Sequence, residues 1–405
     1  MRRSRDGGRG GGTGVAEGRA GPTGAGLRDR SAEAGDAPGP AIRLALGPLS
    51  YIYMPRARSA SEGGRLTRTP SAALSDTIMA RRPWGGAMDD DAIPGYFANR
   101  SVLVTGAAGF LGTHLCARLH GLGAHVVGVD NFSFARPDRD AVATGVTLET
   151  VDIRDPTATR AILERTRPEV IFHLAAIANP RTCKQDFPLA FDVNVLGTQN
   201  VLRFAPPSAR TLFMSSAAVY GAPERLPIDE THPRNGADPY SVTKIMGEDL
   251  VGCYGRQFGR DVAIVRNFNS FGVGQTGDYI VPQLIRQALT EKKIEIWDAR
   301  TVRDLMYIDN TLEALLVVVA RGEKGPVNIG AGRGITVGEL AQTIADRLGG
   351  SIPIVDLKKA VVGSPALVSN NDRIRGLGWT EAISFGDGIE RTIAWTRGQL
   401  AGAGS

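Results

Sequence analysis

From Phe97 onward, short apolar runs alternate with longer segments of helical character. The runs Ser101–Thr105, His125–Asp130, Val146–Asp152, Val170–Ala175, Thr211–Ser215 and Asp261–Asn267 are rich in Val and Ile and nearly continuous in hydrophobicity. That pattern predicts strands of a parallel sheet covered on both faces. Between them the sequence predicts helices over Leu111–Leu122, Pro156–Thr166, Pro188–Phe204 and Pro239–Phe258. Such alternation implies an α/β fold of the Rossmann type, a doubly wound parallel sheet with right-handed crossovers. After Phe271 the pattern loosens. Helices are expected over Val281–Glu291, Asn310–Ala320, Val337–Leu348 and Gly386–Trp395, with short strands at Lys293–Trp297, Pro326–Ile329 and Ile352–Val355. This reads as a smaller, partly interleaved substrate-binding region, some of which returns to the main sheet.

Residues 1 to about 96 show no sustained period and are rich in Gly, Arg, Ala and Ser. A segment like that buries too little apolar surface to offset its ordering entropy. It is expected to be a disordered extension, or the product of a start codon placed too early, with Met54, Met79 and Met88 as later starts. The expected organisation is therefore 1–96 extension, 97–270 dinucleotide-binding domain and 271–398 mainly substrate-binding region.

Charge changes the picture only once it is located. The chain carries a formal +5, but residues 1–87 alone carry +7, which leaves −2 for the rest. The basic character belongs to the tail and gives the folded part no nucleic-acid signature. Cys116, Cys183 and Cys253 are odd in number and scattered. They argue against a disulfide framework or a metal site and for a reducing, cytoplasmic compartment. No apolar run reaches the 18 or so residues of a membrane-spanning helix.

The candidate chemistry lies at strand ends. Gly106, Gly109 and Gly112 follow the first strand and open a helix. Such a turn lets a pyrophosphate approach the backbone and rest on the amides of Phe110 and Leu111, a dinucleotide site. Asp130, followed by Asn131, ends the second strand and can accept hydrogen bonds from both ribose hydroxyls. Its charge repels a 2′-phosphate, which favours NAD over NADP. Asp152 and Ile153 close the third strand, where a carboxylate could meet the adenine amine or merely turn the chain. After His173 come Leu174, Ala175 and Ala176, small enough at the last two for the chain to pass beneath a cofactor. His173 itself could equally be a satisfied core residue.

Tyr240 and Lys244 lie one helical turn apart and project from one face. A phenol with a pKa near 10 is a poor base. A neighbouring ammonium and a positive nicotinamide ring favour the phenolate, which makes Tyr240 a usable acid/base. Lys244 can also hold the ribose hydroxyls of the nicotinamide half. Ser216, at the end of the fifth strand, is the group placed to hydrogen-bond a substrate oxygen.

These motifs, in this order, resemble the extended short-chain dehydrogenase/reductase superfamily, in its nucleotide-sugar epimerase/dehydratase branch. The resemblance rests on Thr105–Gly112, Val129–Asn131, His173–Ala176, Asn194–Thr198, Ser215–Gly221, Tyr240–Lys244, Arg266–Asn269, Arg303–Asp309 and Leu377–Trp379, and covers about residues 100–397. It implies Ser216, Tyr240 and Lys244 as a catalytic triad, NAD as cofactor and a nucleotide-diphosphate sugar as substrate. It also implies sugar-diphosphate contacts from Asn269 and Arg303, and a homodimer formed through Pro188–Phe204 and Pro239–Phe258. A guanidinium suits the diphosphate because its fork grips two oxygens. Departures bear on the reaction. Dehydratases of the branch carry an Asp-Glu pair after the serine or threonine, and decarboxylases a Glu; here the positions are Ala217 and Ala218. That leaves a 4-epimerase as the leading expectation, with a 4-ketosugar reductase, a dehydratase using another acid and a non-catalytic NAD sensor as rivals. Asn267 stands where many 4-epimerases have Tyr, and Trp297-Asp298-Ala299 where a Gly-rich turn is common, so substrate identity stays open.

Overall fold

The structure, a computed structural model, describes residues 92–134, 145–275, 277, 279–359 and 366–402. Seven strands form one sheet: β1 (Ser101–Thr105), β2 (His125–Asp130), β3 (Thr147–Thr150), β4 (Val170–His173), β5 (Arg210–Ser216), β6 (Val262–Asn267) and β7 (Gly325–Ile329). Their order is β7-β6-β5-β4-β1-β2-β3 and every neighbouring pair is parallel. β1 and β4 are neighbours, with Thr105 opposite His173, so the strand order reverses between them. The crevice at the carboxyl end of such a reversal is where open α/β sheets bind ligands.

Strand and helix assignments follow the hydrophobic pattern closely, and the differences have local causes. Helix Pro156–Thr166 starts where Asp155 accepts from the amides of Thr157 (2.8 Å) and Ala158 (3.2 Å). Pro156 occupies its first turn, where a missing N–H costs nothing. The expected helix Pro188–Phe204 is a helical run in three parts: Phe187–Phe191, a π-type segment Asp192–Leu196 and Gly197–Phe204. A short helix, Pro180–Gln185, precedes it under an Asn179 cap. β3 is shorter than its apolar run.

The boundary expected after residue 96 falls inside a helix, Ala92–Phe97. Ile93 and Phe97 are buried in the main core, and the Phe97 ring lies 6.2 Å from that of Phe172 on β4. Burying one such aromatic contributes about 1.5–3 kcal/mol, so the folded unit takes in Ala92–Tyr96 as well. The remainder of the expected extension lies outside the described residues.

After β6 the chain builds three small ladders: Asn269–Phe271 with Leu305–Tyr307, Val302–Arg303 with Ile335–Thr336 and Ala366–Leu367, and Ile294–Ile296 with Ile354–Asp356. β7 then returns to extend the main sheet beside β6. Helix Ile308–Ala320 is buried along most of its length in the main core.

Candidate active site

The glycine-rich turn is knitted to its neighbours by backbone. The amides of Gly106 and Ala107 both donate to the Val129 carbonyl, at 2.9 and 3.2 Å. Gly106 has φ +72°, and a Cβ there would lie 2.8 Å from the Ala175 nitrogen. A Cβ on Gly112 would lie 2.1 Å from the Gly106 carbonyl oxygen. Gly109 differs: φ is −76° and the nearest atom to an added Cβ is 3.2 Å away. Two glycines thus fold the turn, and the third leaves its outer side open. Helix Phe110–Gly121 begins on Gly109 with no side-chain cap and no acidic residue in its first turn. Its first-turn amides keep their capacity for an anion, as a pyrophosphate cradle requires. The residues present therefore fit the expected dinucleotide.

Asp130 stands over this turn. Its carboxylate accepts from the amides of Ala108 (3.0 Å) and Phe132 (2.8 Å), which leaves lone pairs on both oxygens. Asn131 donates to Asp152 at 3.1 Å. Asp152 is gripped by Arg154 at 2.6–3.0 Å, and that pairing holds its carboxyl down to about 2. Ile153 is buried, and its carbonyl accepts from Asn200 at 2.9 Å.

The ambiguity over His173 resolves through a chain of hydrogen bonds. The Ala175 amide donates to the Thr105 hydroxyl (3.1 Å), which lies 2.7 Å from His173 Nδ1. His173 Nε2 lies 2.9 Å from the Thr198 hydroxyl, which itself donates to the Asn194 carbonyl at 2.6 Å. Thr198 must therefore accept from Nε2–H, and Nδ1 accepts from Thr105. Burial pulls the imidazole down to about 3, so it is neutral. His173 is a satisfied core residue that fixes the Leu174–Ala176 segment against the glycine turn.

Ser216, Tyr240 and Lys244 are brought together. Helix Pro239–Phe258 begins just ahead of Tyr240 because Asp238 accepts from the amides of Tyr240 (2.9 Å) and Ser241 (3.2 Å), with Pro239 in the first turn. The Ser216 hydroxyl acts on the Tyr240 phenol, lowering its pKa, and accepts from the Ala218 amide at 3.1 Å. Lys244 Nζ donates to the Met214 carbonyl at 2.7 Å and lies 6.0 Å from the Tyr240 ring centroid. Both side chains are buried, and burial sets the direction of their shifts in the protein alone. Burial raises the Tyr240 phenol above its ordinary value, against the lowering effect of Ser216. Burial also pulls the Lys244 ammonium down to about 8, opposed by Cys183 and Glu248. In the protein alone, desolvation is the largest influence on both groups.

Asn269 and Arg303 lie further along the same edge. Ser216 is in register with Asn267 on β6, and Asn269 with Leu305, two residues beyond Arg303. The Asn269 amide donates to the Asp304 carbonyl at 3.2 Å. Arg303 Nη1 donates to the Val302 carbonyl at 2.8 Å. Asp304 is fully buried and accepts from Ala331, Gly332 and Ser369.

Two residues at the site were given no role by the sequence reading. Asn194, in the π-type segment, accepts from the Ile177 amide (2.8 Å) and donates to the Ile177 carbonyl (3.1 Å) and the Thr243 hydroxyl (3.0 Å). It thereby joins the chain beyond β4 to the helix of Tyr240. Glu248 continues the Tyr240/Lys244 stripe by one turn, a spacing that was available in the sequence.

Comparison with known proteins agrees with this geometry. Residues 102–330 match the NAD dependent epimerase/dehydratase family. A UDP-glucose 4-epimerase of Rhizobium meliloti is 32% identical over 321 residues, covering 73% of this chain and 97% of that one. A human dTDP-D-glucose 4,6-dehydratase is 28% identical over 342 residues, covering 78% and 93%. The crystal structure of a Thermotoga maritima UDP-glucose 4-epimerase with UDP-glucose superposes with a TM-score of 0.70 at 25% identity, over 74% of this chain and 99% of that one. The family match spans more than half of the sequence, and it falls on the strands that carry the glycine turn, Ser216 and Asn269 and on the helix of Tyr240 and Lys244. The chain therefore belongs to the NAD-dependent epimerase/dehydratase family, as an NAD-dependent enzyme.

Proposed function

We propose that the protein is a nucleotide-sugar 4-epimerase working through a transient 4-keto sugar. The observation that carries this reading is the turn after Ser216. It continues into Ala217 and Ala218, whose methyl groups transfer no protons. Elimination of water needs an acid beside the sugar, whereas inversion at C4 needs one base that works in both directions. NAD, when bound, takes a hydride from C4 and gives it back.

The chain's own groups do the rest. Ser216 hydrogen-bonds the sugar O4 and holds it against Tyr240. Tyr240 removes the O4 proton and later returns it. Lys244, on the same helical face, holds ribose hydroxyls and lowers the cost of the phenolate once the buried site carries further positive charge. Asp130 and the amides after Gly109 hold the adenosine half and the pyrophosphate. Asn269 and Arg303 hold the sugar diphosphate, which leaves the keto sugar free to turn its other face to the hydride donor. Burial of Tyr240 and Lys244 strengthens the electrostatics of the proton transfer.

The protein works as a homodimer paired through the helical run 187–204 and helix Pro239–Phe258. Leu196 and Met246, exposed on those elements, support that pairing. Three free cysteines support a reducing, cytoplasmic setting. The test is a product-resolved screen of UDP-, dTDP-, GDP- and CDP-sugars with bound NAD measured on the same sample. Inverted sugar at C4 from protein that arrives with NAD supports the proposal. Stoichiometric consumption of NADH or NADPH with a ketosugar assigns the protein to the reductases instead.

A further inference from the structure

Three successive residues of β5 are each tied to helix Pro239–Phe258. Met214 accepts from Lys244 (2.7 Å), Ser215 Oγ donates to Glu248 at 2.7 Å, and the Ser216 hydroxyl lowers the Tyr240 pKa. Glu248 and its partner Arg266 on β6 are both buried, at 4% and 5% exposure. Arg266 meets the carboxylate with Nε and Nη2, each at 2.8 Å. Its Nη1 reaches the Tyr220 hydroxyl and the Glu230 carbonyl, both at 3.0 Å. Tyr220 ends the short turn that starts beside Ser216, and its hydroxyl donates to Asn328 on β7 at 2.6 Å. Arg234 adds a longer contact to Glu248 at 3.3 Å. Every element that carries Ser216, Tyr240 or Lys244 therefore meets at one buried ion pair.

We infer that Glu248 and Arg266 are positioning residues that set the spacing between Ser216 on the sheet and Tyr240 and Lys244 on the helix. The inference rests on the proposed role of those three groups. A buried ion pair is weak support for stability, because desolvation cancels much of its attraction. It is strong geometry, because a bidentate guanidinium–carboxylate contact has one orientation. A displacement of about 1 Å at a reacting group costs on the order of 100-fold in rate. Without the pair, the helix loses its ionic tether to the sheet, and a shift of that order at Tyr240 follows.

The test uses the full chain loaded with NAD and a nucleotide sugar found to be turned over. The charge-free double variant Glu248→Met/Arg266→Met keeps the side-chain volume and removes the orientation. Its kcat is expected to fall about 100-fold, with KM, bound NAD and melting temperature close to the parent values. Parental kcat in the folded, loaded double variant overturns the inference, because a merely structural pair predicts that result. Should the double variant not fold, Ser215→Ala decides. It deletes one hydroxyl, and kcat is expected to fall about tenfold at unchanged KM, the worth of one charge-assisted hydrogen bond; parental kcat overturns the inference there too. Tyr240→Phe is measured alongside. Full turnover by Tyr240→Phe removes the site reading and this inference with it. A dead Tyr240→Phe beside a fully active double variant overturns the inference alone.

Discussion

Placing an alanine at Gly112 and another at Gly109 separates the folding role of the glycine turn from its cofactor role. At Gly112 the new Cβ would lie 2.1 Å from the Gly106 oxygen and 2.8 Å from the Ala107 Cα. Both obstacles are backbone, in a turn held to Val129 by two hydrogen bonds, so relief requires the turn itself to move by about 1 Å. Overpacking of this severity costs roughly 3 kcal/mol, and alanine in a helix returns about 1 kcal/mol over glycine. The net loss, about 2 kcal/mol, lowers the melting temperature of a domain this size by roughly 3 °C. Moving the turn also shifts the first-turn amides, and NAD binding weakens by about tenfold, a helix-terminus interaction at the strong end. At Gly109 the new Cβ meets the Gly106 oxygen at 3.2 Å with an ordinary φ, which costs about 0.5–1 kcal/mol. Gly109→Ala should therefore melt close to the parent and still lose NAD, because the methyl occupies the open side of the turn. Melting curves with and without NAD, and NAD released from the purified protein, read both effects. Parental stability in Gly112→Ala, or equal destabilisation in both variants, refutes the reasoning.

Other outcomes follow from the same geometry. Tyr240→Phe should lower kcat by about 10²–10⁴ while the protein keeps its NAD, the usual worth of a general acid/base; loss of NAD in proportion to activity would point to a binding defect instead. His173 is neutral in the fold, with a value near 3 against an unfolded value near 6.5. Its contribution is complete above about pH 6.5 and is lost as pH falls toward 3, because only the unfolded chain then takes up the proton. Between pH 7 and pH 5 that amounts to about 2 kcal/mol. Denaturant titrations should accordingly show His173→Gln losing that much less stability over this range than the parent, and equal losses would contradict the neutral assignment. Asp130→Ala removes the acceptor for Ala108 and the charge proposed to meet the ribose, so the preference for NAD over NADP should narrow by about tenfold, measured by calorimetry on cofactor-free protein.

Much of this site was legible from strand ends. β1 and β2 have the bounds that the Val-rich runs predict, and Gly106, Asp130, His173 and Ser216 all lie where an apolar run stops. Periodicity fails where the signal is short or tertiary. Ile93 and Phe97 form one i, i+4 pair beside Pro94 and Gly95, too little to announce a helix. Pro180–Gln185 buries only Cys183. The π-type segment around Asn194 differs from an α-helix by a wider turn that no residue preference marks. The two- and three-residue ladders around Arg303 depend on partners more than 30 residues away. The spacing of Tyr240 and Lys244 was visible, but the direction of their pKa shifts was not. Burial sets that direction, and burial comes from Phe213, Cys183 and Ile177, which other elements supply.

The proposed epimerisation inverts C4 by hydride that leaves and returns within one active site. The most direct measurement incubates the protein as purified, with no added cofactor, with a nucleotide sugar that the screen finds turned over, deuterated at C4, and follows the products by mass spectrometry and NMR. The C4-inverted nucleotide sugar is expected at unchanged mass with the deuterium still at C4. Washout of the label, loss of water, or turnover that requires added NADH or NADPH would contradict the proposal.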